Sequence, residues 1–137
     1  MMKAVISGSV AFQTEYQQLI QKFEQTGIQV IDYPKLSDDL DQEYPTLLKE
    51  FFCHIEEADI FLLFNKKKKG IAGYIGPSGF AELTYALMQN LIHEKKMCIF
   101  LWEEPSLDNS CYEEVSRWIE NQWVEFYSAS IFQENSN

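Results

Sequence analysis

The chain has 137 residues and a mass of 16.0 kDa, which suits one domain built around one hydrophobic core. Its formal net charge of −10 and its pI near 4.6 disfavour binding to a nucleic acid polymer or an anionic membrane, because both favour a basic protein surface. Hydrophobic residues make up 46% of the chain and aromatic residues 15%, so we predict a single folded domain over residues 1–137.

The first half of the chain alternates between strand and helix patterns. A short apolar run, KAVIS at residues 3–7, predicts a buried strand that ends at Gly8. Apolar residues at helical spacing then predict a helix, and IQVIDY at residues 28–33 predicts a second strand. The polar segment 34–43 is interpreted as a connection, because Pro45 suits the first turn of the next helix.

The second half of the chain continues this alternation. DIFLLFN, residues 59–65, is almost wholly apolar, as expected of a central parallel strand covered on both faces. A glycine-rich turn and a third helix pattern follow, and MCIFLW at residues 97–102 predicts a fourth strand. A fourth helix pattern precedes WVEFY at residues 123–127, the predicted fifth strand. With right-handed crossovers, this order predicts an α/β three-layer sandwich with a five-stranded, mainly parallel sheet.

The order of the strands predicts where a ligand would bind. Among doubly wound sheets we favour the order 2-1-3-4-5, in which ligands lie beyond the carboxyl ends of the strands, beside the reversal of strand order. Gly8 and Ser9 follow the first strand, and the segment from Asn65 to Gly79 follows the third. We therefore expect these two stretches to converge. Within the second stretch, Tyr74 is either an aromatic residue at the edge of the core or a ring that stacks on a base.

The turn at residues 73–80, GYIGPSGF, leads into the third helix. It matches neither the dinucleotide fingerprint GxGxxG nor the P-loop pattern, so we expect no cofactor. Backbone N–H groups at Ser78, Gly79 and Phe80 are expected to lack partners within the helix and could hold an anion or a sugar hydroxyl. The alternatives are that Ser78 only caps the helix and that Gly76, with the proline after it, only turns the chain.

Glu82 is the only acidic residue between Gly73 and Leu87. It is either an acid favoured by the helix dipole or a functional carboxylate. It shares its helix face with Gly79 and Ala86, which are small enough to leave room for a ligand. A helix N-terminus is also expected to keep a carboxylate ionised, as a nucleophile at the anomeric carbon of a sugar requires.

Four of the eleven basic residues are consecutive, at Lys66, Lys67, Lys68 and Lys69. Such a run is either solvated loop charge or a mobile basic lid that attracts a phosphorylated ligand to an acidic protein. The flexible-looking stretch that follows, residues 70–73, would allow the run to fold over the glycine-rich turn.

The three cysteines show no CxxC spacing, and the chain has only two histidines, so we expect no metal site. Cys53 and Cys98 lie in apolar stretches, which predicts buried thiols. The apolar run at the N-terminus is too short for a signal peptide, and no stretch approaches the length of a transmembrane helix. These patterns predict a cytoplasmic protein with reduced thiols and no membrane partner.

The order of these motifs resembles the nucleoside 2-deoxyribosyltransferase superfamily over roughly residues 3–105. The matching features are a small-residue turn followed by Phe12, an Ala58-Asp59 entry to the third strand, and a glycine-rich turn leading to Glu82. The resemblance implies a flavodoxin-like sheet and a retaining mechanism. In that mechanism Glu82 attacks the anomeric carbon of a 2-deoxynucleoside, and a second base or water completes turnover.

The same resemblance implies roles for other residues. Gly8, Ser9 and Phe12 would line a base pocket, while Ser78 and Gly79 would hold the sugar or a 5′-phosphate. The predicted catalytic residue is thus Glu82, and the predicted ligand-binding residues are Gly8, Ser9, Phe12, Asn65, Tyr74, Gly76, Ser78 and Gly79.

Three positions differ from the usual pattern of the superfamily. This chain has Ile6 where an aromatic hydroxyl is usual, and Gly76 and Phe51 where acids are expected. The expected partner is a nucleoside or nucleotide. The alternatives are a non-catalytic nucleotide-binding or sensing module on the same fold, or a purely structural subunit. We also expect a homo-oligomer, because neighbouring subunits complete the active sites of the superfamily and this small chain is rich in aromatic residues.

Overall fold

A computed structural model describes residues 1–129. Five strands and four α-helices follow one another along these residues, and a single 3-10 turn, Val10–Phe12, precedes the first helix. In chain order they are β1 (Lys3–Gly8), α1 (Gln13–Gln25), β2 (Gln29–Asp32), α2 (Leu40–Glu57), β3 (Ile60–Phe64), α3 (Pro77–His93), β4 (Cys98–Leu101), α4 (Tyr112–Glu120) and β5 (Glu125–Phe126).

The five strands form one sheet in the order β2-β1-β3-β4-β5, and every neighbouring pair is parallel. The predicted fold class and strand order are therefore confirmed. Gly8 at the end of β1 pairs with Phe64 at the end of β3. The segments that leave these two strands consequently start side by side at the carboxyl edge of the sheet.

Helices cover both faces of the sheet and create two apolar layers. Val5 of β1 packs in the layer that contains buried residues of α2, α3 and α4, such as Ile55, Leu83 and Val115. Ile6, on the opposite face of β1, packs against α1. All five residues of β3 are buried, as the unbroken apolar run predicts for a strand covered on both faces.

Helix α2 begins earlier than the sequence predicts. The predicted connection 34–43 is wrong beyond residue 39, because α2 starts at Leu40 and includes Pro45 in its second turn. The side chain of Asp39 caps this helix by accepting a hydrogen bond from the backbone N of Gln42 at 3.4 Å. This cap and two acids in the first turn, Asp41 and Glu43, favour the earlier start despite the proline.

The prediction of buried thiols at Cys53 and Cys98 is wrong, because both residues are exposed. Cys53 lies on the outer side of α2, two residues after the buried Phe51 and two before the buried Ile55. Cys98 is the first residue of β4, and it is exposed although the other three residues of the strand are buried. An apolar neighbourhood in the sequence therefore did not place either sulfur in the core.

Candidate functional site

A cavity of about 640 Å³ opens at the carboxyl ends of β1, β2 and β3. The segment after β1, helix α2, the segment after β3 and the start of α3 form its walls. The structure thus brings together the two stretches expected to converge. The predicted site residues that line the cavity are Gly8, Ser9, Phe12, Tyr74, Gly76, Ser78, Gly79 and Glu82.

Glu82 is partly buried in the wall of this cavity. Ser7 of β1 donates a hydrogen bond from Oγ to Oε1 of Glu82 at 2.5 Å, which ties α3 to the central sheet. Burial raises the pKa of Glu82 to about 7; the hydrogen bond from Ser7 opposes this rise, and the charge of Asp32 adds to it. Glu82 therefore changes its charge near neutral pH, where a carboxyl group is ordinarily ionised.

The expectation that the helix N-terminus keeps Glu82 ionised is wrong. Glu82 is the sixth residue of α3, whereas the favourable effect of the helix dipole fades beyond the first turn. Desolvation of the carboxylate is the largest influence on its pKa. Ser7, which supplies the opposing hydrogen bond, was not singled out from the sequence, because it lies 75 positions away and only the fold brings it to Glu82.

The N-terminus of α3 is built differently from the prediction. Gly76, with extended backbone, is the residue that caps the helix, and Pro77 is its first residue, so the alternative that Ser78 caps the helix is wrong. Phe80 donates from its backbone N to the carbonyl O of Gly76 at 2.9 Å, so its N–H already has a partner. Ser78 and Gly79 are the positions where helix geometry leaves N–H groups for a ligand.

Asn109 and Glu103 hold the glycine-rich turn in place. Asn109 accepts a hydrogen bond at Oδ1 from the backbone N of Ile75 at 2.8 Å, and its Nδ2 donates to the carbonyl O of Gly73 at 3.2 Å. Oε1 of Glu103 accepts from the backbone N of Gly73 at 2.8 Å. The turn is therefore fixed by residues that follow β4, a support that the sequence does not reveal.

Asn65, a predicted ligand-binding residue, is not among the described residues that line the cavity. Its side chain is 1% exposed and joins the ends of β3 and β4. Oδ1 accepts from the backbone N of Trp102 at 2.8 Å, and Nδ2 donates to the carbonyl O of Glu103 at 2.7 Å. Asn65 thus positions the segment that holds the glycine-rich turn.

Gly73 cannot carry a side chain without strain, and we expect Gly73→Ala to destabilise the fold. Its φ is +60°, and a Cβ atom there would lie 2.4 Å from the carbonyl O of Glu104. Strain and overlap together are expected to lower the free energy of unfolding by about 2–4 kcal/mol, measured by urea denaturation. Gly70→Ala is the control, because Gly70 has a φ of +73° but no atom within 4 Å of such a Cβ. Equal losses in the two variants would show that the contact with Glu104 has no effect.

Tyr16 of α1 shapes the other wall of the cavity. Its hydroxyl donates to the carbonyl O of Ser9 at 2.6 Å, and burial raises its pKa well above the usual range for a tyrosine, so it remains a donor. A Cβ atom at Gly8, whose φ is +150°, would lie 2.6 Å from this hydroxyl. Tyr16 therefore fixes the turn after β1, although it is not among the predicted site residues.

Two of the four consecutive lysines, Lys66 and Lys68, line the cavity. Nζ of Lys68 donates to Oγ of Ser9 at 2.7 Å, and Nζ of Lys66 lies 5.9 Å from the centre of the Phe12 ring.

Backbone hydrogen bonds constrain the segment that joins these lysines to the glycine-rich turn. The backbone N of Lys68 donates to the carbonyl O of Ile71 at 3.2 Å, and the backbone N of Ile71 donates to the carbonyl O of Lys68 at 2.9 Å. Lys69 and Gly70, between them, have φ values of 55° and 73° and form the tip of a tight turn. The run is thus part of a hydrogen-bonded turn at the mouth of the cavity.

Asp32 lines the same cavity, and the sequence analysis did not propose it as a site residue. Its position at the end of a strand is typical of a residue that caps a turn, and it does accept a hydrogen bond from the backbone N of Tyr33 at 2.8 Å. The signal that could have identified it is its place at the carboxyl end of β2, beside the strand that carries Ser7.

Comparison of the chain with protein-family models and with curated proteins gives no match in either case. Within residues 1–129, no helix combines the length and the apolar character that crossing a membrane requires. The same residues contain no group of three or more His, Cys, Asp or Glu side chains placed to hold a metal ion.

Proposed function

We propose that the protein binds a nucleoside or nucleotide in this cavity and breaks or exchanges the N-glycosidic bond of a 2-deoxynucleoside or its monophosphate. The observation that carries the proposal is the partly buried carboxyl of Glu82, hydrogen-bonded to Ser7 in the wall of a cavity of about 640 Å³. That volume lies within the range of small-molecule sites. The aromatic rings of Phe12 and Tyr74 line the same cavity and offer surfaces for a base.

In the proposed reaction Glu82 is the nucleophile. Oε1 is engaged by Ser7, so Oε2 attacks C1′ of the sugar while the C1′–N bond breaks and its electron pair leaves with the base. Water or a second base then attacks C1′ and loses a proton to solvent, while the bond between C1′ and Oε2 breaks and releases the carboxylate of Glu82. The first base, which left with the electron pair of its bond, takes up a proton from solvent. Two displacements at C1′ retain its configuration, and the hydrogen bond from Ser7 favours the ionised form that the first step needs.

The direct test is to incubate the protein with deoxynucleosides and their 5′-monophosphates and to measure free base by chromatography. Release of base supports the proposal. Binding without release across the whole panel supports the second candidate, a non-catalytic nucleotide-binding or sensing module. The specific observation that favours this second candidate is the pKa of Glu82 near 7, which leaves much of the carboxyl protonated at neutral pH.

Lys66 and Lys68 are expected to give a modest preference for a 5′-monophosphate over the corresponding nucleoside. Exposed ion pairs contribute about 0–1 kcal/mol each, so Lys68→Gln is expected to weaken monophosphate binding by up to about fivefold and nucleoside binding very little. The preference should also decrease with salt. Calorimetric titration of both ligands measures it.

Lys67→Gln is the matched control for this experiment, because Lys67 belongs to the same run but is not among the cavity-lining residues. Equal phosphate preference in the wild type, Lys68→Gln and a Lys66→Gln/Lys68→Gln double variant would identify the run as solvated loop charge. In that case the N-terminus of α3 would be the remaining anion site that the structure suggests.

We also propose that the protein self-associates. Large apolar side chains are exposed near the end of α3 and around β5, namely Leu91, Ile92, Trp123 and Phe126. Contact between copies would remove this apolar surface from water. Light scattering at micromolar concentration is expected to show a mass that is a multiple of 16.0 kDa. A single species at 16.0 kDa would contradict this proposal.

A further inference from the structure

Asp32 is a second buried carboxyl in the cavity, and the proposed reaction does not use it. It is 7% exposed and ends β2. In the sheet Asp32 pairs with Val5 of β1, and Val5 lies two residues before Ser7 in the same strand. Asp32 contacts His54 of α2, and Ser7 contacts Glu82 of α3; these two helices cover the same face of the sheet. The two carboxyls therefore lie on the same side of the sheet, Asp32 at the end of β2 and Glu82 against Ser7 near the end of the neighbouring β1.

Two hydrogen bonds and one ion pair surround the carboxylate of Asp32. Nδ1 of His54 lies 2.7 Å from Oδ2, the backbone N of Tyr33 lies 2.8 Å from Oδ1, and Nζ of Lys35 lies 3.6 Å from Oδ1. Burying a carboxylate is costly unless such partners replace its hydration. An ionised carboxylate has about four acceptor positions, so the two hydrogen bonds leave room for a further donor even beside the ammonium group of Lys35.

We propose that Asp32, oriented by His54, is a ligand-binding carboxylate that accepts a hydrogen bond from the nucleoside. The donor is either the 3′-hydroxyl group of the sugar or an amino group of the base. A nucleoside with this donor replaces the water that still hydrates the carboxylate by a hydrogen bond of its own. An analogue without the donor displaces the same water but forms no hydrogen bond, so it binds more weakly. This inference rests on the proposed nucleoside site and adds to it a reason for ligand discrimination.

The test compares three ligands by calorimetry: 2′-deoxyadenosine, its analogue without the amino group (purine 2′-deoxyriboside), and its analogue without the 3′-hydroxyl (2′,3′-dideoxyadenosine). The wild type is expected to bind 2′-deoxyadenosine at least tenfold more tightly than one of the two analogues, and that analogue identifies the donor. In Asp32→Asn the ratio of the affinity for 2′-deoxyadenosine to the affinity for that analogue is expected to fall to about threefold or less. The reason is that a neutral acceptor makes a weaker hydrogen bond than a carboxylate.

Two further variants separate recognition from structural effects. Glu24→Gln removes one negative charge from an exposed residue of α1 that is not among the cavity-lining residues, and it is expected to keep the wild-type ratio. His54→Gln is expected to give an intermediate ratio, because Asp32 loses the group that orients it. A purely structural role would weaken all three ligands equally and leave the ratio unchanged. Thermal unfolding establishes which variants are folded, and if Asp32→Asn is not, the ratio in His54→Gln decides.

The results that overturn the inference are distinct from those that overturn the proposed reaction. Wild-type ratios near one for both analogues, or an unchanged ratio in Asp32→Asn, overturn the role of Asp32 alone. Ligand discrimination without release of base overturns only the chemistry assigned to Glu82. If the wild type binds none of the three ligands at millimolar concentration, both the nucleoside site and the role of Asp32 are overturned.

Discussion

Replacing Glu82 by Gln is expected to abolish the release of base from 2-deoxynucleosides. The amide keeps the shape of the side chain and can still accept a hydrogen bond from Ser7, but it cannot form the covalent intermediate. Loss of a nucleophile typically lowers the rate by several powers of ten, so kcat/KM should fall on the order of 10³-fold or more. Glu24→Gln, at an exposed position outside the cavity, should retain most of the activity. Equal activity in Glu82→Gln and the wild type would refute the mechanism.

The same chemistry predicts the pH dependence of the wild type. Nucleophilic attack needs the ionised carboxyl, and the pKa of Glu82 is about 7. The rate constant kcat/KM should therefore rise about tenfold per pH unit below pH 7 and become level above it. Ser7→Ala removes the hydrogen bond that lowers this pKa, so the rise should shift to higher pH. A profile that is flat between pH 5 and pH 8 would show that Glu82 is not the group that titrates.

Glu82 is also expected to make stability depend on pH, whether or not the protein is an enzyme. Its pKa rises from 4.5 in an unfolded chain to about 7 in the fold, so between these values the folded state retains a proton that the unfolded chain has released. The corresponding stability is fully present below pH 4.5 and is lost as the pH rises to about 7. Each pKa unit corresponds to about 1.4 kcal/mol, so ionisation of Glu82 above pH 7 is expected to lower the free energy of unfolding by about 3 kcal/mol.

Glu82→Gln should remove this loss of stability at high pH, because the amide does not ionise. The free energy of unfolding of the variant, relative to the wild type, is expected to increase by up to about 3 kcal/mol between pH 4.5 and pH 7.5 and to change little beyond. Urea denaturation at a series of pH values measures the difference, in which the contributions of the other titrating groups largely cancel. Glu24→Gln controls for the loss of one negative charge. A difference that is constant over this pH range would mean that Glu82 is not buried as the structure has it.

The sequence was sufficient for the fold because that depends on local patterns and on general rules of α/β topology. The unbroken apolar run in β3 indicated a strand covered on both faces, and the structure confirms all five of its residues as buried. The convergence of Gly8 and the turn before Gly79 at one place could be predicted because parallel strands have their carboxyl ends at the same edge of a sheet. Both inferences need only the order of the elements, which helix and strand periodicity reveal.

The site itself could be predicted only in outline, because its polar contacts join residues that are far apart in the sequence. Asn65 was expected to bind ligand, but its amide bonds to backbone groups at the end of β4. In a sequence, an asparagine that supports a loop has the same appearance as one that binds a ligand. The pKa of Glu82 likewise depends on burial beneath neighbouring segments, and the sequence shows only its position on a helix.

The hydrogen bonds that hold the glycine-rich turn have a consequence for the order in which the protein is made. All the residues that line the cavity lie between positions 8 and 82, yet the turn from Gly73 to Ile75 is held by Glu103 and Asn109. During synthesis, every residue that lines the cavity leaves the ribosome before the two residues that hold the glycine-rich turn. The nascent chain thus completes this wall of the cavity only after β4 and the loop that follows it have emerged and docked.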